Sequence, residues 1–272
     1  MLSGYSSSKH AVALLAGLHA LPHVEVIFCA NVKTFSLKRI LSLIKRYGWR
    51  DAFDKFRNVY ISSRGNKFED ETKFITEFNL NNNVLFKNVA SACAKLHIQF
   101  ISIASLKEES LVQQTIDRKI DLLIYSGGGI LKKKLIEATK TGVLNAHGGP
   151  LPFFRGMNGL EWSLLYNVKP EVTIHLIDQG IDTGPILAKF PIEIKEGDTI
   201  SSLRGKSVVV EVKGILTVVK NFDTYLLQKS IQQPNEGKQF FRMHNSLKQW
   251  INEKLKLNWR PSRSQQFEQQ ER

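Results

Sequence analysis

Five short apolar runs constrain this chain more than any other feature: VEVIFCA (residues 24–30), IQFISIA (98–104), IDLLIYS (120–126), GVLNAH (142–147) and VTIHLID (172–178). Each is a short apolar run bounded by helical or turn patterns, so each reads as a strand. Helical patterns flank them, at AVALLAGLHA (residues 11–20), 106–118 and 131–139. Strands joined by helices of this length require crossover connections. The pattern therefore predicts an α/β fold with a mainly parallel, Rossmann-like sheet and helices on both faces. Ligands of such sheets bind beyond the carboxyl ends of the strands.

A chain of 272 residues with 42% hydrophobic content can bury a full core. The expected organisation is one α/β domain over residues 1–230, carrying a basic helical insertion at about 33–90. A short extension follows at 231–257, long enough for a strand and a helix. The polar, Gln-rich tail at 258–272 reads as disordered. Cys29 and Cys93 form no CxxC or metal-ligand spacing, which excludes a disulfide framework and a zinc site and predicts buried thiols in a reducing compartment. No apolar run approaches the roughly 18 residues that span a bilayer, and MLSGYSSSKH lacks the features of a signal peptide. These readings predict a cytoplasmic protein with no membrane association and leave its oligomeric state open.

Lys plus Arg 38 against Asp plus Glu 25 gives a net charge of +13, which favours anionic partners. Much of the excess lies between Lys33 and Lys67, where ten basic residues face only Asp51 and Asp54. There Leu37, Ile40, Leu41 and Ile44 make one apolar stripe, with Lys38, Arg39, Lys45 and Arg46 away from it. Such a helix is either packed on the domain with a solvated basic face or a docking surface for an anionic substrate.

The stretch NAHGGPLPFFRG (residues 145–156) closes one of the strands. Side chains alternate along a strand, so Asn145 and His147 share a side and can meet one substrate. Gly148 and Gly149 permit close backbone approach, and Pro150 and Pro152 stiffen the loop. Further on, HLIDQGIDTGPIL supplies Asp178 and Asp182, either of which could orient and charge-stabilise the histidine.

Taken together, Asn145-Ala146-His147, Leu151-Pro152-Phe153-Phe154-Arg155-Gly156, Val172-Thr173-Ile174-His175 and Asp182-Thr183-Gly184 resemble the hallmark of the folate-dependent formyltransferases in order and spacing. That family includes methionyl-tRNA, glycinamide ribonucleotide and amino-sugar-nucleotide formyltransferases. The resemblance runs over residues 121–203. It implies the formyltransferase fold and transfer of a formyl group from 10-formyltetrahydrofolate to the amine of a small, anionic metabolite or sugar nucleotide. Asn145, His147 and Asp182 would be catalytic, with no metal. Gly127, Gly128, Gly129 and Ile130 would present backbone groups to the pterin. Ser6, Ser7 and Ser8, placed before a helix N-terminus, would favour an anionic acceptor, and Arg155 either reaches an anion or ties the loop down. The same site could instead hydrolyse 10-formyltetrahydrofolate, and a noncatalytic basic binding module on this fold is a further alternative.

The chain departs from the family pattern in three places. Gly149-Pro150 stands where many members have Ser-Leu. Only Met1 and Leu2 precede the turn SGYSSSKH, which a full strand normally feeds, so the first strand is expected to be truncated. The segment after Pro234 is short for the C-terminal barrel that methionyl-tRNA formyltransferases usually carry, which makes a tRNA acceptor the lesser expectation.

Overall fold

The computed structural model describes residues 1–4, 7–32, 67–127 and 129–257. Ser6, Gly128, most of the basic insertion and the tail therefore lie outside the described residues. Two compact units make up the chain, Met1–Lys140 and Thr141–Arg272. The boundary falls inside the span that the sequence reads as one domain.

The first unit holds strands β1 (Leu2–Ser3), β2 (Phe28–Val32), β3 (Gln99–Ile103) and β4 (Leu122–Ser126), all parallel, in the order β3-β2-β1-β4. β1 is short, as expected, yet it occupies the centre. Leu2 lies opposite Ala30 and Tyr125, and Ser3 opposite Asn31 and Ser126. The ladder extends past its ends: Ala30 N–H donates to Met1 O at 2.9 Å and Gly4 N–H to Ser126 O at 3.3 Å. From Met1 to Gly4 the chain thus offers ladder bonds to the strands on both sides. β2 begins later than the apolar run at 24–30, because Val24 N–H closes a turn onto Leu21 O at 3.1 Å behind the preceding helix.

That helix, α1 (Lys9–His19), is capped by Ser8, whose hydroxyl accepts from Ala11 N–H at 3.1 Å. Its buried face, Ala11, Leu14, Leu15 and Leu18, packs it into the core, and it meets α2 (Lys67–Asn81) and α3 (Val89–Lys95). Asn88 and Ser91 cap α3 reciprocally. A second group pairs α4 (Glu109–Asp117) with α5 (Lys133–Glu137). Cys29 and Cys93 are both buried thiols.

The second unit contains β5 (Gly142–His147), β6 (Phe154–Gly156), α6 (Gly159–Leu165), β7 (Glu171–Leu176) and β8 (Ile186–Pro191). It continues with α7 (Ile200–Lys220), α8 (Phe222–Leu227), β9 (Lys238–Phe240) and α9 (Asn245–Lys256). β6 and β9 pair in parallel, so the chain is mostly parallel in its pairings. β7, however, runs antiparallel to both β5 and β8. A helix between β5 and β7 would suggest a parallel crossover, but α6 has 7 residues. It rises only about 10 Å, too little to return the chain along a six-residue strand of about 20 Å.

α7 starts at a Thr199/Ser202 capping box and packs across β7 and β8. The approach is close enough that a Cβ at Gly214 would lie 2.9 Å from the Phe190 ring. Among the described residues no helix is long and apolar enough to cross a membrane.

Candidate active site

The antiparallel register of β5 and β7 sets Asn145 opposite His175 and His147 opposite Thr173. Directly opposed residues share a face, so these four polar side chains cluster on one side of the pair while Leu144, Ala146, Ile174 and Leu176 take the other. Leu144 and Ile174 are fully buried, which fixes the register, because a one-residue slip would exchange the two faces.

Each ring has a defined orientation. His147 Nε2 lies 2.7 Å from Phe154 O, and since a carbonyl only accepts, Nε2 carries the proton. Nδ1 then faces Asp182 Oδ2 at 3.4 Å. His175 Nδ1 donates to Leu176 O at 3.0 Å, so its Nε2 lone pair accepts from Asn145 Nδ2 at 3.0 Å. Burial pushes the His175 pKa down to about 4 against the pull of Asp182, which keeps the ring neutral. Its Nε2 lies 3.7 Å from Asp182 Oδ1. The Asn145 amide is thereby oriented by a neutral acceptor.

Asp182 sits between the two imidazoles. Its backbone is left-handed, φ 54°, and Oδ2 accepts from Gly156 N–H at 2.8 Å. Asp178 instead closes the loop that delivers Asp182, its Oδ1 accepting from Gly180 N–H at 2.9 Å and from Thr183 Oγ1 at 2.6 Å. The loop after His147 is pinned by Thr173, whose hydroxyl donates to Gly149 O at 2.8 Å and accepts from Leu151 N–H at 3.2 Å. Glycine is needed where that loop passes α6, because a Cβ at Gly149 would lie 2.8 Å from Gly159 Cα and 2.9 Å from His147 Nε2. Arg155 is 6% exposed and turned inward, its Nε donating to Gln232 Oε1 at 3.1 Å and its Nη2 to Gln233 O at 3.2 Å.

The site therefore includes groups that the linear pattern did not single out: His175 as a working neighbour, the Gly156 amide and Gln232. His175 carried a signal, as a polar residue at strand period from Thr173 inside an apolar run. Gln232 carried none, lying in the aperiodic polar stretch SIQQPNEG.

Behind the loop, α7 presents Ser207 and Glu211 to Gly148, where a Cβ would lie 3.3 Å from Ser207 Oγ and 3.5 Å from Glu211 Oε1. Burial of the Glu211 carboxyl raises its pKa to about 7, although Ser207 Oγ donates to it at 3.1 Å. The folded chain thus holds a proton that the unfolded chain releases at ordinary glutamate pH. Stability from this group declines as pH rises from about 4.5 to about 7. Glu211→Gln is expected to flatten that decline, so that urea unfolding at pH 8 shows the variant more stable relative to wild type than at pH 4.5. An equal difference at both pH values would contradict the assignment.

In the first unit, the loop after β4 takes positive φ at Gly127 (85°) and Gly129 (118°). Tyr125 Oη pins it, accepting from Gly129 N–H at 3.1 Å and donating to Gly129 O at 2.8 Å. Ser126 Oγ lies 3.1 Å from Nδ1 of His10, which burial lowers to a pKa of about 4. Ile130 is 72% exposed. Ser7 is exposed, and Ser8 uses its hydroxyl to cap α1. Asn145, His147, Asp182 and Arg155 thus gather in the second unit, and Ser7, Ser8, Gly127, Gly129 and Ile130 belong to the first.

A mostly parallel α/β fold sets an oriented amide and an imidazole on one strand face and brings a loop carboxylate against them, an arrangement of the kind that acyl-type group transfer requires. Residues 69–219, more than half of the chain, match the family model described as Formyl transferase, and the chain belongs to that family. It is 30% identical over 129 residues to the methionyl-tRNA formyltransferase of Finegoldia magna, covering 47% of this chain and 42% of the relative. It is 36% identical over 98 residues to that of Thermodesulfovibrio yellowstonii, covering 36% and 32%. The chain thus spans less than half the length of these curated relatives. The fold resembles phosphoribosylglycinamide formyltransferase from Bacillus halodurans, with TM-score 0.54 and 21% identity over 81% of this chain and 93% of that one.

Proposed function

We propose that this protein transfers a formyl group from 10-formyltetrahydrofolate to the amine of a small anionic metabolite, such as a phosphorylated or sugar-nucleotide amine. The observation that carries this reading is the convergence of Asn145, His147 and Asp182 in a chain of the formyl transferase family. As the amine attacks, a C–N bond forms at the formyl carbon while the bond from that carbon to the folate nitrogen breaks. Negative charge develops on the formyl oxygen, and the amine must lose a proton that the folate nitrogen gains. The second Asn145 Nδ2–H and, once protonated, His147 Nδ1–H are the donors for the oxygen. Asp182, with Oδ2 3.4 Å from His147 Nδ1, relays the proton through water. The exposed Ile130 side chain suits the flat face of a planar pterin, and the positive-φ Gly127 and Gly129 leave backbone groups free to approach its polar edge.

The basic insertion and the net charge of +13 favour an anionic acceptor. A second reading, an aminoacyl-tRNA acceptor, is supported by the sequence relatives, which are methionyl-tRNA formyltransferases. Incubation with 10-formyltetrahydrofolate and a panel of phosphorylated amines, amino-sugar nucleotides and methionyl-tRNA separates the readings, with tetrahydrofolate release and formyl mass gain as readouts. Release that no amine accelerates would instead indicate hydrolysis, and folded protein that releases none would overturn the proposal.

The loop assignment has its own test. Tyr125→Phe removes both bonds to Gly129, and the KM for the folate donor is expected to rise about three- to tenfold with kcat little changed, the pattern of lost ground-state binding. A fall in kcat at constant KM would contradict it.

A further inference from the structure

We propose that Gln232 is a positioning residue that aims Asp182 at His147, acting through the backbone of the Asp182 loop. This inference rests on the functional reading above for its kinetic consequences only. Gln232 is 9% exposed and uses both ends of its amide. Nε2 donates to Asp182 O at 3.0 Å and to Gly184 O at 2.7 Å, while Oε1 accepts from Arg155 Nε at 3.1 Å. One side chain therefore ties β6, which carries Arg155 and the Gly156 amide, to the loop that carries the carboxylate.

The tie matters because Asp182 holds a left-handed backbone, φ 54°, a conformation uncommon for non-glycine residues though tolerated by Asp, so contacts that fix it also fix where its side chain points. The carbonyl that Gln232 grips belongs to the same residue whose Oδ2 accepts from Gly156 N–H at 2.8 Å and faces His147 Nδ1 at 3.4 Å. Without that grip the ψ torsion of Asp182 is less constrained, and with it the direction of the Cα–Cβ bond that carries the carboxylate. The segment bearing Gln232 is itself fastened. Ser230 pairs with Ile186, Lys238 N–H donates to Phe153 O at 3.2 Å, and Met157 N–H donates to Phe240 O at 2.9 Å. Arg155, bound to both Gln232 and Gln233, supports the amide from the opposite side and so belongs to the same positioning set.

Two substitutions separate aiming from mere cross-linking. Gln232→Leu removes all three bonds. Gln232→Glu keeps an acceptor for Arg155 but replaces the two Nε2 donors with an oxygen that repels the Asp182 and Gly184 carbonyls. For Gln232→Leu, kcat is expected to fall about ten- to a hundredfold, the scale of a catalytic group displaced by up to about 1 Å, with the donor KM changed less than about twofold. Gln232→Glu keeps the tie to Arg155 but not the grip on the loop, so it should not recover kcat.

Independently of turnover, the Gly156 amide proton should move upfield and exchange faster in both variants, while that of Met157 stays in place. An unmoved Gly156 amide in either folded variant, or a Gln232→Glu that restores kcat together with stability, would overturn the proposal. A moved Gly156 amide in a protein that transfers no formyl group would uphold the positioning role and refute the functional reading instead.

Discussion

Replacing His147 with alanine is expected to lower formyl transfer by about a hundredfold or more while leaving the fold intact, and Asn145→Ala and Asp182→Ala should each do the same. His147 contributes one anchoring bond, to Phe154 O, and one working edge, directed at Asp182. On the proposed mechanism its removal deletes one of the two donors for the developing oxyanion. Asn145→Ala removes the amide that His175 orients, and Asp182→Ala removes the charge between the two rings. Because the three groups converge on one reacting centre, double variants should lose less than the product of the single losses. Steady-state kinetics with circular dichroism as a fold control checks this, and full activity in His147→Ala would refute the mechanism. His175 offers a sharper contrast: with its pKa near 4 it stays neutral, so His175→Gln should alter kcat without introducing a new limb into the pH profile between pH 6 and 8.

Much of this site was legible in the sequence because strand periodicity is a local signal. The spacing of Asn145 and His147 places them on one face whatever the rest of the chain does, and only two residues ahead of a hydroxyl-rich turn foretold a short β1. What escaped depends on pairing and on long reach. The sequence cannot show that β7 runs antiparallel to β5, and His175 meets Asn145 only in that register. Asp178 and Asp182 look equivalent in HLIDQGIDTG. They part only when the loop closes on Thr183 and leaves Asp182 facing the rings. Arg155 could have reached an anion or tied a loop, and its partner Gln232 is 77 residues away. Bonds from side chains to distant backbone follow no period, so they leave no trace in a linear reading.

The second large effect concerns stability. Glu161, in the first turn of α6, is 1% exposed, and its Oε1 is shared by the Arg204 guanidinium of α7 and by Asn158 Nδ2 at 3.0 Å. The helix N-terminus favours the negative charge modestly, but a carboxylate so buried depends on its cation. Arg204→Met would leave that charge with Asn158 as its remaining identified donor, and the expected loss is about 3–5 kcal/mol, the usual cost of stripping one partner from a buried pair. For a domain of this size that lowers the melting temperature by about 10 °C. Glu161→Gln should cost much less, about 1 kcal/mol, because Arg204 is a third exposed and can turn to water. The asymmetry is the diagnostic: if Arg204→Met and Glu161→Gln destabilise equally in urea melts, the carboxylate is not held by the arginine. The consequence reaches the site, since a Cβ at Gly159, two residues before Glu161, would lie 2.9 Å from His147 Nε2. A shift of α6 in Arg204→Met would therefore crowd the ring or release it, so turnover of the folded variant is expected to fall as well.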